Sequence, residues 1–279
     1  MADPTMLRSR LLAREHLIGT FVKTPTTHAT EILGALGFDF VVIDEEHAPF
    51  DRMATDAALL AARAVGTAAL VRVQSATSIL SVLDCGATGV LVPHVASAAR
   101  AREVAAICRY QGGRRGYSGS PRHAGYGATG MWKTVEAADA ATTVIAQIED
   151  PEALDEIDAI AAVDGIDALF IGRGDLAVAL GAKSSDAPEV RGAVERIGKA
   201  ARAAGKPVCV FVGGQAEASW LRDQGATAFV VASDQSFMRK AAAQALAEIR
   251  SLGAVANTAQ TNSAQANSAQ ANAAQAKIA

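Results

Sequence analysis

The chain predicts an α/β fold of one kind, a single-domain (β/α)8 TIM barrel in which eight parallel strands alternate with helices. Three observations predict it. About eight short apolar segments recur between residues 18 and 232, each followed by a helical or glycine-closed stretch. Such alternation argues for parallel strands joined by crossover helices, and eight units in about 250 residues suit a closed barrel. No glycine fingerprint follows the first strand, which sets aside the open doubly wound sheet.

The elements follow in order. A short helix is expected over residues 6–16, then a strand over 18–22 and a helix over 27–36 that Gly37 ends. The second strand, 38–43, leads to a helix over 49–64 stopped at Gly66; the third, 68–73, to a helix over 78–85 ended by Gly86; the fourth, 89–93, to a long alanine-rich helix over 96–109. Residues 111–130 break the rhythm with seven glycines and with Arg114, Arg115, Arg122 and His123. A connection of that length is a functional or interface loop. Its arginines suit either a phosphate cradle or a loop pinned by arginine hydrogen bonds at a subunit contact. The fifth strand, 142–149, precedes a helix over 151–162; the sixth spans 168–172. A helix over 188–204 leads to the seventh strand, 207–212, a helix over 216–224 to the eighth, 228–232, and a last helix covers 235–252. This barrel domain takes up residues 1–253. Residues 254–279 repeat Asn-Thr/Ser/Ala-Ala-Gln every five residues and hold nothing apolar enough to bury, so a disordered polar tail is expected, with a partner-binding arm as the alternative.

Composition narrows the function classes. With 26 Lys and Arg against 29 Asp and Glu, net charge -3, the chain has no basic field for nucleic acid. No apolar run approaches the ~18 residues of a membrane helix, and the first ten residues lack the apolar core of a secretory signal. Three scattered cysteines, Cys85, Cys108 and Cys209, fit reduced thiols in a cytoplasmic protein.

The chemistry concentrates at strand exits. Phe40-Val-Val-Ile43 runs straight into Asp44-Glu-Glu-His47, and later strands deliver Arg72, Glu149 and Asp175 in the same way. A barrel gathers such residues at its carboxyl face. Glu149 and Asp175 are hard oxygen ligands suited to a divalent metal. Arg72 suits a carboxylate or enolate oxygen. His47 titrates near neutrality and can act as base with Asp44 orienting it. The turn Gly172-Arg-Gly-Asp175 can offer backbone N–H groups to an anion if it opens a helix. Other readings stand beside these: Asp175 as a helix cap, Arg72 as a rim ion pair, His47 as a loop histidine, His94 as a pocket wall, and Glu45 or Glu46 as the acid facing the pocket. Lys23, followed by Thr-Pro-Thr-Thr, reads as exposed loop rather than a Schiff-base lysine.

The segments Ile43-Asp-Glu-Glu-His-Ala-Pro49, Val71-Arg-Val73, Gly86-Ala-Thr-Gly-Val-Leu-Val-Pro93, Gly113-Arg-Arg-Gly116, Gln147-Ile-Glu149 and Phe170-Ile-Gly-Arg-Gly-Asp-Leu176 resemble the HpcH/HpaI aldolase family, the class II pyruvate aldolases such as 4-hydroxy-2-oxoheptanedioate aldolase and 2-dehydro-3-deoxyglucarate aldolase. The resemblance covers roughly residues 10–250. It implies a homo-oligomeric barrel, trimer or hexamer, with the last helix packed on a neighbour. It implies a divalent metal (Mg²⁺, Mn²⁺ or Co²⁺) on Glu149 and Asp175, and pyruvate held by Arg72, Gln147 and the amides of Gly174 and Asp175. His47, paired with Asp44, would move the proton. The reaction implied is reversible cleavage of a 4-hydroxy-2-oxo acid to pyruvate and an aldehyde, with Arg72→Ala lowering turnover and leaving the fold intact. Two departures concern the acceptor: Arg173 stands in the family's usual Gly-Pro-Ala-Asp turn, and His94 replaces a frequent methionine. The alternatives are an acyl-CoA lyase of the citrate or malyl-CoA lyase type, which would need Arg114, Arg115 and Arg122 as a basic groove, and a non-catalytic barrel binding an oxo acid.

Overall fold

A computed structural model describes residues 3–252. Eight strands are present: β1 (Leu17–Val22), β2 (Phe40–Asp44), β3 (Ala68–Arg72), β4 (Gly89–Val92), β5 (Thr143–Ile148), β6 (Ala168–Ile171), β7 (Val208–Val212) and β8 (Ala226–Ser233). Each pairs in parallel with its sequence neighbour, and β8 pairs with β1, closing the expected barrel. The helices are α1 (Leu7–Leu12), α2 (Thr27–Ala35), α3 (Arg52–Ala64), α4 (Ile79–Asp84), α5 (Ala98–Cys108), α6 (Met131–Ala141), α7 (Pro151–Asp155), α8 (Ile157–Ala161), α9 (Arg173–Ala179), α10 (Pro188–Ala203) and α11 (Gln215–Asp223). Residues 235–252 are helical and form a unit of their own. The repetitive stretch 254–279 lies outside the described residues.

The strands are apolar on both faces because a parallel sheet wrapped by helices is buried on both. Leu17, Phe21, Phe40, Val42, Ala68, Leu70, Leu91, Ile145, Ala168, Phe170, Cys209, Ala228 and Val230 form one interior cluster. Leu7 and Leu11 of α1 join it beside Phe40, Ala68 and Ala168, the first residues of their strands, so α1 stops the amino-terminal mouth. Phe40 fits inside because Gly19 stands opposite: a β-carbon there would lie 2.3 Å from the Phe40 ring. Side chains alternate along a strand. The parity that puts Val42, Leu70, Ile145 and Phe21 inside the barrel therefore aims Asp44, Arg72, Gln147 and Lys23 to the same side, one step further toward the carboxyl face.

Helix starts follow local chemistry. The Thr26, Asp51 and Ser97 side chains accept from the His28, Ala54 and Arg100 amides at the heads of α2, α3 and α5, each satisfying an orphan donor. Three stretches differ from the expectation. The helix foreseen over 151–162 breaks at Glu156 (φ −106, ψ 11), whose carboxylate leaves to accept the Ala98 amide at 2.9 Å. The long loop gives way to α6 at residue 131, a helix whose alanine-rich sequence carried no start signal. Residues 173–179 form a helix directly after β6. Within the loop, Arg122 donates to the Cys85 carbonyl at 2.8 Å and to Asp56 at 2.8 Å. Arg115 is buried over the Tyr110 ring at 4.5 Å, 3.6 Å from Asp84. Arg115 and Arg122 pin the segment against α3 and α4 within the chain, as the pinned-loop reading expects.

Candidate active site

The carboxyl ends of β2 and β3 set the centre. Asp44 and Arg72 are register partners on adjacent strands. Arg72 Nε and Nη2 donate to the two Asp44 oxygens at 2.9 and 2.7 Å, a planar two-point pair. Asp44 is fully buried and Arg72 nearly so. The Lys23 ammonium stands 3.1 Å from Asp44, and the Phe21 ring lies under the guanidinium at 4.8 Å. Burial raises the cost of ionising Asp44, but the Arg72 bonds and charge and the Lys23 charge outweigh it, so its pKa lies below the usual carboxylate range. Lys23 thus belongs to the site rather than to an exposed loop. Its exit from β1 is fixed by its backbone amide, which donates to Asp234 at 2.8 Å.

Asp44 reaches His47 differently from the expected dyad. Its carboxylate accepts the Glu46 and His47 backbone amides at 3.3 and 3.2 Å, which folds the loop into a turn, while the half-exposed His47 ring lies 3.8 Å from Glu46. Glu45 and Glu46 separate cleanly. Glu45 accepts from Thr55 of α3 at 2.8 Å and faces the barrel wall. Glu46 faces inward, 3.2 Å from Arg72 Nη1 and 3.7 Å from His94.

Glu149, past the end of β5, is 2% exposed. Gln147 Nε2 and the His94 backbone amide (2.9 Å) donate to it. Burial raises its pKa, and the charge of Asp175 adds to the rise against those two bonds. Asp175 itself is exposed in the first turn of α9 and bears on Glu149 through its charge. Gly172 is required there, since a β-carbon would fall 2.8 Å from a Glu149 oxygen. His94, with a ring 62% exposed, stands 3.5 Å from Glu149 and 3.1 Å from Asp150. Burial depresses its pKa, but the Asp150 bond and the charges of Glu149, Asp150 and Glu46 more than offset this and raise it. One donor atom from each of Glu46, His94 and Glu149 lies within 4.8 Å of the others. The donor set fits a divalent cation: hard carboxylate oxygens, a buried anion needing a counter-charge, and a buried Gln147 Oε1 with no hydrogen-bond partner beside it.

Arg173 meets neither solvent nor an open pocket. It is buried and bonded to Asp186 (3.3 Å), the Phe211 carbonyl (3.2 Å) and Glu217 (2.9 Å), tying α9 to the exit of β7. A separate cavity of about 640 Å³ is lined by Thr67, Ala69, Thr88 and Thr142, at the opposite ends of the strands, and contains none of the clustered acids.

Fold and site together define a barrel enzyme whose chemistry sits at the strand exits. The model of the HpcH/HpaI aldolase/citrate lyase family matches residues 17–241, and the chain belongs to that family of carbon–carbon lyases. It is 35% identical to a hydroxypyruvate/pyruvate aldolase of Paraburkholderia phytofirmans, over 88% of this chain and 97% of that one. It is also 35% identical to a 5-keto-4-deoxy-D-glucarate aldolase of Enterobacter sp. strain 638, over 85% and 94%. Among solved structures, an HpcH/HpaI aldolase/citrate lyase family protein of Burkholderia cenocepacia superposes with a TM-score of 0.84 at 32% identity, covering 88% of this chain and 99% of that one. Macrophomate synthase does so with 0.79 at 28% identity, covering 88% and 89%.

Proposed function

We propose that the chain is a class II pyruvate aldolase, cleaving a 4-hydroxy-2-oxo acid reversibly to pyruvate and an aldehyde. The observation that carries this is the gathering, at one barrel face, of a buried guanidinium, Arg72, paired with Asp44 and 3.2 Å from Glu46, and a buried carboxylate, Glu149, grouped with Glu46 and His94. The aldolases named above, at 35% identity, support the substrate class.

Cleavage breaks C3–C4 after the C4 hydroxyl loses its proton, and the electron pair ends on the C2 oxygen as an enolate. Arg72 answers that charge. Asp44 takes up Nε and Nη2 and fixes the guanidinium plane, so Nη1, which lies 3.2 Å from Glu46, is the corner that the substrate shares with that carboxylate. The amides of Gly174 and Asp175 hold the substrate carboxylate, and Gln147 lines the pocket. His47, at the rim on the turn held by Asp44, takes the C4 hydroxyl proton through a water. A divalent cation (Mg²⁺, Mn²⁺ or Co²⁺) on Glu149 and Asp175 would supply fixed positive charge beside the oxo-acid oxygens. The acyl-CoA reading loses its groove, because two of its three arginines are held by Asp56, Asp84 and the Cys85 carbonyl.

The assay is pyruvate release from a racemic 4-hydroxy-2-oxo acid, with EDTA and then with metal restored. Loss and recovery support the proposal; activity surviving EDTA moves the chemistry to Lys23 and a Schiff base, and no pyruvate under any condition refutes it. Deleting residues 254–279 leaves turnover unchanged in an enzyme and abolishes partner capture in a tail-dependent binder. The proposal includes a homo-oligomer, trimer or hexamer, which light scattering on the purified chain measures. A cytoplasmic setting accords with three free thiols, two of them buried. No helix among the described residues is long and apolar enough to cross a membrane.

A further inference from the structure

His94 is the residue of this site whose geometry asks for a further role. It follows Pro93 at the exit of β4 with φ +54, a left-handed backbone that a β-carbon disfavours and that gathers at functional positions. The distortion is coupled to the site, since it is the His94 amide that donates to Glu149 at 2.9 Å. The ring is then held among acids rather than turned away: Nδ1 lies 3.1 Å from Asp150 and 3.5 Å from Glu149, and Nε2 lies 3.7 Å from Glu46. One nitrogen of His94 and one oxygen each of Glu46 and Glu149 already stand within 4.8 Å of one another. A cation bound at about 2.0–2.2 Å by three donors in tetrahedral or cis-octahedral arrangement sets them about 3–3.6 Å apart, so about an ångström or two of side-chain movement closes the set. Gln147, whose Nε2 donates to Glu149, keeps a buried Oε1 without a hydrogen-bond partner.

Resting on the reading of Glu149 and Asp175 as metal ligands, we propose that a His94 ring nitrogen and a Glu46 oxygen add to the donors around that same cation, giving a mixed nitrogen–oxygen site that selects a borderline transition cation such as Co²⁺ or Zn²⁺ over Mg²⁺. The physical basis is ligand character. Carboxylates and water serve Mg²⁺ well, whereas an imidazole nitrogen adds affinity for later first-row metals in the order of their intrinsic preference. Glu46 has the geometry for this: Oε2 faces Arg72 Nη1 while Oε1 faces His94.

The test uses the full chain stripped of metal, then titrated separately with Co²⁺ and Mg²⁺ by calorimetry. Variants are His94→Asn, whose residue type tolerates the left-handed backbone, His94→Met, which keeps bulk without a nitrogen donor, and Glu149→Gln. Far-UV circular dichroism checks that each is folded. Both His94 variants are expected to weaken Co²⁺ binding at least tenfold and Mg²⁺ binding less than threefold. Pulsed EPR of the Mn²⁺-loaded wild type is expected to show coupling to a directly bound imidazole nitrogen, absent from both variants. Unchanged Co²⁺ affinity in the His94 variants, or no nitrogen coupling in loaded wild type, overturns the inference. If Glu149→Gln still abolishes binding in that case, the metal reading under the proposed function survives alone; a wild type that binds neither cation overturns both.

Discussion

The Asp44–Arg72 pair allows the sharpest prediction, Asp44→Asn. The carboxylate has no exposed surface and receives the two Arg72 bonds at 2.9 and 2.7 Å, the Lys23 ammonium at 3.1 Å and two backbone amides. Asparagine keeps the shape but removes the charge and turns an N–H₂ toward one of those cations. Breaking one side of a buried ion pair costs about 3–5 kcal/mol, because the partner charge stays buried and uncompensated. At roughly 2–4 °C per kcal/mol for a domain of this size, the melting midpoint falls by roughly 6–20 °C. Arg72→Met costs a similar amount from the other side, which replaces the expectation that loss of Arg72 spares the fold. The double variant removes both charges, so its loss is smaller than the sum of the singles by about 0.5–3 kcal/mol. Calorimetry in EDTA measures all four proteins. Single losses that add, or an Asp44→Asn midpoint within 2 °C or so of wild type, would mean that the pair is not coupled as its geometry requires. Turnover supplies the second arm: without Asp44 the guanidinium is no longer held in plane, and kcat falls by about 10²–10³, as when one preorganised donor is lost.

Three more perturbations follow from single contacts. Gly172→Ala sets a methyl 2.6 Å from Glu149 Cβ and 2.8 Å from Oε2; the carboxylate must move, and Co²⁺ affinity by calorimetry drops tenfold or more while circular dichroism is unchanged. Glu46→Gln lowers turnover at least about tenfold, equivalent to ~1.4 kcal/mol of barrier, whereas Glu45→Gln, on the Thr55 side, leaves it within about twofold; equal effects would invert their assignment. His123 titrates below its ordinary 6.5 because it is buried and lies beside the Arg115 charge. Between that lower value and 6.5 the unfolded chain holds more protons than the folded one, so stability rises with pH through that window. The melting midpoint of wild type therefore climbs across it, and His123→Gln flattens that climb.

Much of the molecule is present in its sequence for a local reason. Strand positions follow from runs such as Phe40–Asp44 and Thr143–Ile148, buried on both faces and therefore continuously apolar. Most helix ends follow from a capping side chain or a glycine. Arg72, Glu149, Asp44 and Gln147 are recognisable because a polar residue closing such a run lacks any other place than the strand exit, and a barrel gathers all exits at one face. What one chain position cannot encode is which neighbour a side chain meets across the barrel. Asp44 turns to Arg72, its register partner on β3, and holds the His47 loop by its amides rather than the ring. Lys23 looks like loop until Asp44 is seen beside it. Glu45 and Glu46, adjacent and identical in type, part because one faces α3 and the other the pocket. Arg173 looks available for an acidic substrate until Asp186, the Phe211 carbonyl and Glu217 converge on it from distant stretches. The barrel, its polar face and the kinds of group delivered there are legible along the chain because periodicity and strand ends are local; the pairings are not, because charges separated by tens of residues meet only when the sheet closes.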